Sequence, residues 1–126
     1  QYALFVDDPS YITRNVRSSH REMVEKLLPG CVSVVIDKNV SAMRYIDNDT
    51  INTIVQGSGQ LTATSANPSG KEPARNLGML TEFFANTDAL VLYEGVVPKQ
   101  LSSTIIDVSG EDIEILRQGA VKIDVA

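Results

Sequence analysis

TATSANPSGKEP, running from Thr62 to Pro73, crowds Thr, Ser, Asn, Pro and Gly into one short span. Two readings of it are open. In the first it is a solvent-exposed turn whose hydroxyls cap their own backbone. In the second it is a polar loop beyond a strand end, where small hydroxyls and amides donate hydrogen bonds to phosphate or carboxylate oxygens. Asn67 and Gly70 both tolerate positive φ, which would let successive backbone N–H groups converge on one point. Open α/β sheets bind ligands just beyond strand ends. The stretch lacks the Gly-Lys-Ser/Thr ending of a Walker loop. Composition by itself favours the turn, so the flanking chain has to decide.

Working outward, strands and helices interleave. Tyr2–Val6 (YALFV) and Val32–Ile36 (VSVVI) are short apolar runs that predict buried strands. Between them, Asp8-Pro9 predicts a helix over Pro9–Val16. Ser19 and Glu22 form a capping-box pattern ahead of Met23, Val24, Leu27 and Leu28, and Pro29-Gly30 stops that helix. Ala42–Ile46 (AMRYI) predicts a strand. Asp47 or Asn48 then caps a helix carrying Ile51, Ile54 and Val55, with Gly57 as its stop. Leu61–Ala66 predicts the strand that runs into TSANPSG. Asn76 caps a helix with Leu77, Leu80, Phe83 and Phe84. Further strands are expected at Ala89–Tyr93, Leu101–Ser109, Ile113–Leu116 and Ala120–Ile123, the last two separated by Arg117-Gln118-Gly119. The pattern predicts an α/β fold with a sheet of mixed direction, in a single domain over residues 1–126.

Composition narrows the function. The 126 residues carry a net charge of −5, which argues against a protein that coats nucleic acid. No apolar run approaches the roughly 20 residues that span a bilayer, and no membrane role is expected. Cys31 is the sole cysteine, so an internal disulfide is excluded and a reducing, cytoplasmic setting fits. Gln1 stands directly ahead of a strand, as expected of a processed chain or a fragment.

The candidate chemistry is sparse. Arg44 interrupts an apolar strand, where it either makes a surface salt bridge or binds a carboxylate or phosphate. Arg117 follows IEIL and is open to the same two readings. Ser103 and Thr104 begin STIID; a hydroxyl there orients a polar substrate or caps locally, and capping is the better reading. Asp107 is a base, a metal ligand or a strand-end residue held by a turn. His20, the only histidine, is expected at an exposed helix start without a catalytic role, and Cys31 is expected to be structural. No Ser-His-Asp or Cys-His set and no metal-ligand cluster can be assembled. What remains is chemistry by positioning and charge neutralisation, as in nucleotidyl transfer.

Several motifs now occur in a telling order. They are LPGCVSVVI (Leu28–Ile36), AMRYIDN (Ala42–Asn48), TSANPSG (Thr64–Gly70), STIID (Ser103–Asp107) and ILRQG (Ile115–Gly119). Together they resemble the YrdC/Sua5 family, the threonylcarbamoyl-AMP synthases, over nearly the whole chain. TSAN-x-SG is the most specific piece. The resemblance implies a twisted mixed sheet with surrounding helices and a concave ligand-binding face. It implies a reaction of L-threonine, bicarbonate and ATP, the latter with Mg2+, giving threonylcarbamoyl-AMP and pyrophosphate for the t6A modification of tRNA. Proteins that transfer the threonylcarbamoyl group would be downstream partners, and contact with tRNA or double-stranded RNA is conceivable. Carried over residue by residue, Ser65 and Asn67 would meet the phosphate and ribose region, and Arg117 the nucleotide. Arg44, with Ala42 on the nucleotide side and Ala63 on the threonine side, would line the junction of the two substrates. Ser103 would contact threonine. The resemblance implies no catalytic side chain that forms a covalent intermediate and no resident metal. The alternative is a non-catalytic YrdC-like module that binds RNA or nucleotide. A relative with carbamoyl chemistry on another acceptor is disfavoured, because its accompanying zinc-finger and acylphosphatase modules have no counterpart here.

The chain also departs from the family pattern. Cys31 stands where Pro is usual and Ser33 where Thr is usual. The Pro-Thr-Asp-Thr-x-Tyr-Gly-Leu strand and the Lys-x-Arg motif that grips the ATP phosphates have no match, and YALFV lacks the histidine of the family's Pro-Leu-x-x-His strand. The expectation is half a site. Pyrophosphate release from threonine, bicarbonate and ATP should therefore be negligible with this chain alone, and robust turnover would contradict that expectation.

Overall fold

The computed structural model describes residues 3–67, 70–95 and 101–124. The predicted strand position Tyr2 and the loop positions Pro68 and Ser69 lie outside the described residues. The chain divides into two compact units, Gln1–Ala63 with Leu101–Ala126, and Thr64–Gln100.

The first unit contains β1 (Ala3–Phe5), α1 (Pro9–Thr13), α2 (Ser18–Leu27), β2 (Val32–Val35), β3 (Ala42–Arg44), α3 (Asp49–Ser58), β4 (Leu61–Ala63), β5 (Thr104–Asp107) and β6 (Glu114–Arg117). Six strands form one sheet in the order β4-β1-β3-β2-β5-β6. β1 is parallel to β3 and β2 to β5, while the other pairings are antiparallel, so the sheet is mixed as expected. β2 is buried at all four positions, which its valine-rich sequence suits.

One row of cross-strand partners runs from β1 to β6 through Leu4, Met43, Val34, Ile106 and Ile115. Alternation puts these side chains on one face. They pack with Ile12, Val16, Val24 and Leu28 of the α1–α2 segment, which makes the hydrophobic core. Asp8 caps α1 by accepting from the Ser10 backbone N–H at 2.9 Å, and Asn48 caps α3 by accepting from the Ile51 N–H at 3.0 Å.

Several expected details differ. α2 begins at Ser18, behind Arg17, with no side-chain cap; the Ser19–Glu22 capping box is not formed. Glu22 accepts instead from Lys26 Nζ at 2.9 Å, one turn on. α3 continues through Gly57 and stops at Gly59, whose φ of 86° no helix continues. His20 is buried rather than exposed, and its Nε2 lies 3.1 Å from the Gly110 carbonyl oxygen. Ala120–Ile123 forms no strand, because its N–H groups turn to Ser102 O and the Thr104 hydroxyl. β6 is shifted one residue on, so Arg117 lies inside the strand and not after it.

The β5–β6 end is tied by one hydroxyl. Thr104, fully buried, accepts at Oγ1 from Gly119 N at 2.9 Å and Val121 N at 3.2 Å, and donates to the Val121 carbonyl. Its donor and both lone pairs are thereby used. Gly119 lies so close to β5 that a Cβ there would stand 2.2 Å from Ser102 O and 2.6 Å from Ser103 O.

The second unit holds α4 (Leu77–Phe83), capped by Asn76, which accepts from the Met79 N–H at 2.9 Å. Phe83 and Phe84 meet edge to face with centroids 4.8 Å apart. The expected strand at Ala89–Tyr93 has no regular structure, and Leu90 is 86% exposed. Its apolar residues alternate too little to assign it by pattern alone. No helix among the described residues is long and apolar enough to cross a membrane.

The close approach at Gly119 yields a direct prediction. Gly119→Ala should lower stability in urea denaturation by about 2–4 kcal/mol, because the added methyl meets backbone that cannot rotate away. A variant as stable as the native chain would contradict this packing.

Candidate functional site

The face of the sheet opposite the α1–α2 core carries a different chemistry. Phe5 pairs with Arg44 in register, Ser33 with Ile105, and Ile105 with Arg117. Continuing the antiparallel β2–β3 register from Val34↔Met43 sets Ser33 abreast of Arg44. A single row therefore crosses the sheet as Phe5, Arg44, Ser33, Ile105 and Arg117. The adjacent row contains Ala63, Ala3 and Ala42, all with small side chains. Of the residues singled out in the sequence, Ala42, Arg44, Ala63 and Arg117 share this face, and Ser103 extends it two residues ahead of Ile105.

Arg44 is half-buried at the end of β3. Its guanidinium stacks over the Phe5 ring at 5.4 Å and donates from Nη2 to Cys31 Sγ at 3.8 Å. Its Nε is sealed from solvent and has no hydrogen-bond partner. A buried donor of this kind calls for an acceptor. Of the two readings of Arg44, the surface salt bridge is not formed among the described residues.

Arg117 clasps the start of β5. Nε and Nη2 both donate to the Ser103 carbonyl, at 3.0 and 2.7 Å, and Nη2 also donates to Ser103 Oγ at 3.2 Å. This fork fixes the guanidinium plane and leaves the N–H groups of Nη1 unused. The buried Ser103 hydroxyl lies 2.9 Å from Ser33 Oγ, which is buried as well. Among the described residues neither Arg44 nor Arg117 pairs with a carboxylate. Two unneutralised guanidinium groups and two linked hydroxyls thus stand on one sheet face, an arrangement suited to anionic oxygens.

Other candidates take structural roles. Asp107 accepts from the Ser109 N–H at 2.8 Å and from its hydroxyl at 2.5 Å, the strand-end turn foreseen as one of its readings. Among the described residues no group of three His, Cys, Asp or Glu side chains could hold a metal.

In the second unit the TSAN loop forms local bonds. Ser65 donates to Asn67 Oδ1, Asn67 Nδ2 donates to Lys71 O at 3.0 Å, and the Ala74 N–H reaches Ala66 O at 2.8 Å. Gly70 adopts φ 80°, whereas Asn67 does not enter the left-handed region. Ser65 is exposed and Asn67 half-buried. An open groove of about 650 Å³ borders the loop, lined by Ala66, Lys71, Glu72, Ala74, Met79, Glu82 and Phe83.

Sequence reading by single residues missed Ser33 and Phe5 as parts of the polar row and the thiol of Cys31 as a contact of Arg44. The signal was present: Cys31 and Ser33 alternate within CVSVVI, so a period of two puts them on one face.

Comparison with known proteins sets this arrangement in context. The structure of E. coli YciO matches with a TM-score of 0.79 at 15% identity, covering 97% of this chain and 67% of that one. P. abyssi Sua5 complexed with L-threonine matches with a TM-score of 0.76 at 18% identity, covering 94% of this chain and 39% of that one. The MTH1692 protein of Methanobacterium thermoautotrophicum matches with a TM-score of 0.59 at 27% identity, covering 98% of this chain and 65% of that one. The chain thus spans about two thirds of YciO and well under half of Sua5. No curated protein sequence matches the chain. The family model for Sua5, YciO and YrdC, described as "Telomere recombination", matches residues 2–119. With that match across nearly its whole length, the chain belongs to the Sua5/YciO/YrdC family.

Proposed function

We propose that the polar face of the sheet binds L-threonine and nucleotide phosphate oxygens, and that the chain is the substrate-positioning part of a threonylcarbamoyl-AMP synthase. The observation that carries this reading is the row of Arg44, Ser33 and Arg117, with Ser103 beside it, on the face turned away from the core. The L-threonine held by P. abyssi Sua5, a protein of the same fold, supports the choice of amino acid.

The proposed chemistry needs position more than reactive side chains. The threonine amine adds to bicarbonate with loss of water, and the resulting carbamate oxygen attacks the α-phosphorus of ATP. The bond from that phosphorus to the pyrophosphate oxygen breaks, giving threonylcarbamoyl-AMP. Mg2+ enters with ATP, held by the phosphates, as part of the substrate. The Arg44 guanidinium and Arg117 Nη1 supply charge-assisted donors to the anionic oxygens. Ser103 holds threonine, and the small residues Ala42 and Ala63 admit the substrates between them. Ser65 and Asn67 are proposed contacts for phosphate and ribose on their motif alone. The product would pass in the cytoplasm to proteins that build t6A on tRNA.

Calorimetric titration tests the reading. The chain should bind L-threonine and MgATP, with Ser103→Ala weakening threonine roughly tenfold and Arg117→Ala weakening ATP roughly ten- to a hundredfold. Absence of both affinities, together with binding to double-stranded RNA that survives moderate salt, would replace this proposal with an RNA-binding module.

A further inference from the structure

Ser33 belongs to the row that carries the function proposed above but has no substrate contact of its own there, and its environment is unusual for a hydroxyl. It sits within the valine run of β2 and is 3% exposed. A hydroxyl buried there is costly unless bonded. Its partner is Ser103 Oγ at 2.9 Å. Ser103 is also buried, and its oxygen already accepts from Arg117 Nη2 at 3.2 Å.

The protons can be counted. Each hydroxyl has one donor and two lone pairs. Arg117 fills one lone pair of Ser103. If Ser103 gave its own proton to Ser33, it could meet a ligand only as an acceptor. If Ser33 donates, both lone pairs of Ser103 are filled, and the Ser103 proton is directed away from Arg117 and Ser33. A carboxylate offers only acceptors, so it is served by the second arrangement alone.

We propose that Ser33 is a positioning residue: its hydroxyl donates to Ser103 Oγ and fixes Ser103 as a hydrogen-bond donor toward the carboxylate of the amino-acid substrate. The inference rests on the reading of Ser103 as a threonine contact. It also assigns a purpose to Ser33, since Thr at this position preserves the same hydroxyl, whereas Ala and Cys do not preserve a comparable donor.

The test is the affinity of the full chain for L-threonine, by calorimetry, with the thermal midpoint of each variant as a folding control. Ser33→Ala should weaken binding roughly tenfold, the size of one directed hydrogen bond, and Ser33→Thr should restore it to within about threefold. Ser33→Cys keeps the side-chain volume with a weak donor, so it should weaken binding as Ala does, and it serves if the Ala variant does not fold. A purely structural role predicts instead that affinity follows the thermal midpoint whatever the donor. Native-like affinity in folded Ser33→Ala or Ser33→Cys, with Ser103→Ala impaired, overturns the role of Ser33 alone. Native-like affinity in Ser103→Ala, or no threonine binding by the native chain, overturns this inference and the reading of Ser103 together.

Discussion

The close packing of Gly119 on the Ser102–Ser103 backbone sets the geometry on which the polar face depends. With no Cβ at Gly119, the chain after β6 can lie against the start of β5. Thr104 then holds it there through three hydrogen bonds. That contact brings Arg117 within reach of the Ser103 carbonyl, and the guanidinium fork orients Ser103 in turn. Two motifs separated in sequence, STIID and ILRQG, are therefore one structural device. A methyl group at Gly119 would disturb the hydroxyl, the guanidinium and the loop together.

The sheet divides its work between its two faces. One face is a continuous apolar row that buries against α1 and α2 and supplies the core. The other carries Arg44 and Arg117, neither matched by a carboxylate among the described residues, in a chain whose net charge is −5. In an acidic protein, two guanidinium groups on one sheet face concentrate positive potential locally, which is the basis of the anion site proposed above.

Much of this was legible in the sequence because it rests on local rules. The caps at Asp8, Asn48 and Asn76, the valine run of β2 and the mixed sheet follow from residue type and period. The failures share a cause in tertiary context. Ser19 and Glu22 had the capping-box pattern, but the N-cap is Arg17, two residues earlier, and Glu22 pairs with Lys26. His20 read as a surface residue because its partner, Gly110, is distant in sequence. At Ala120–Ile123 the hydroxyl of Thr104 outcompetes a strand ladder. For the candidate site, Arg44 was recognisable as an odd charge in an apolar strand and Arg117 as a charge at a strand end. Their common face was not recognisable, because it depends on the register of β1, β3, β2, β5 and β6.

The central claim is that the face of the sheet remote from α1 and α2 receives threonine and nucleotide. It is tested most directly by backbone amide NMR during titration with L-threonine and then MgATP. The account predicts saturable shifts at Ala42, Arg44, Ser103 and Arg117, with little change at core-face positions such as Ile12 and Val24. Shifts confined to α1 and α2, or none at saturating ligand, would contradict it.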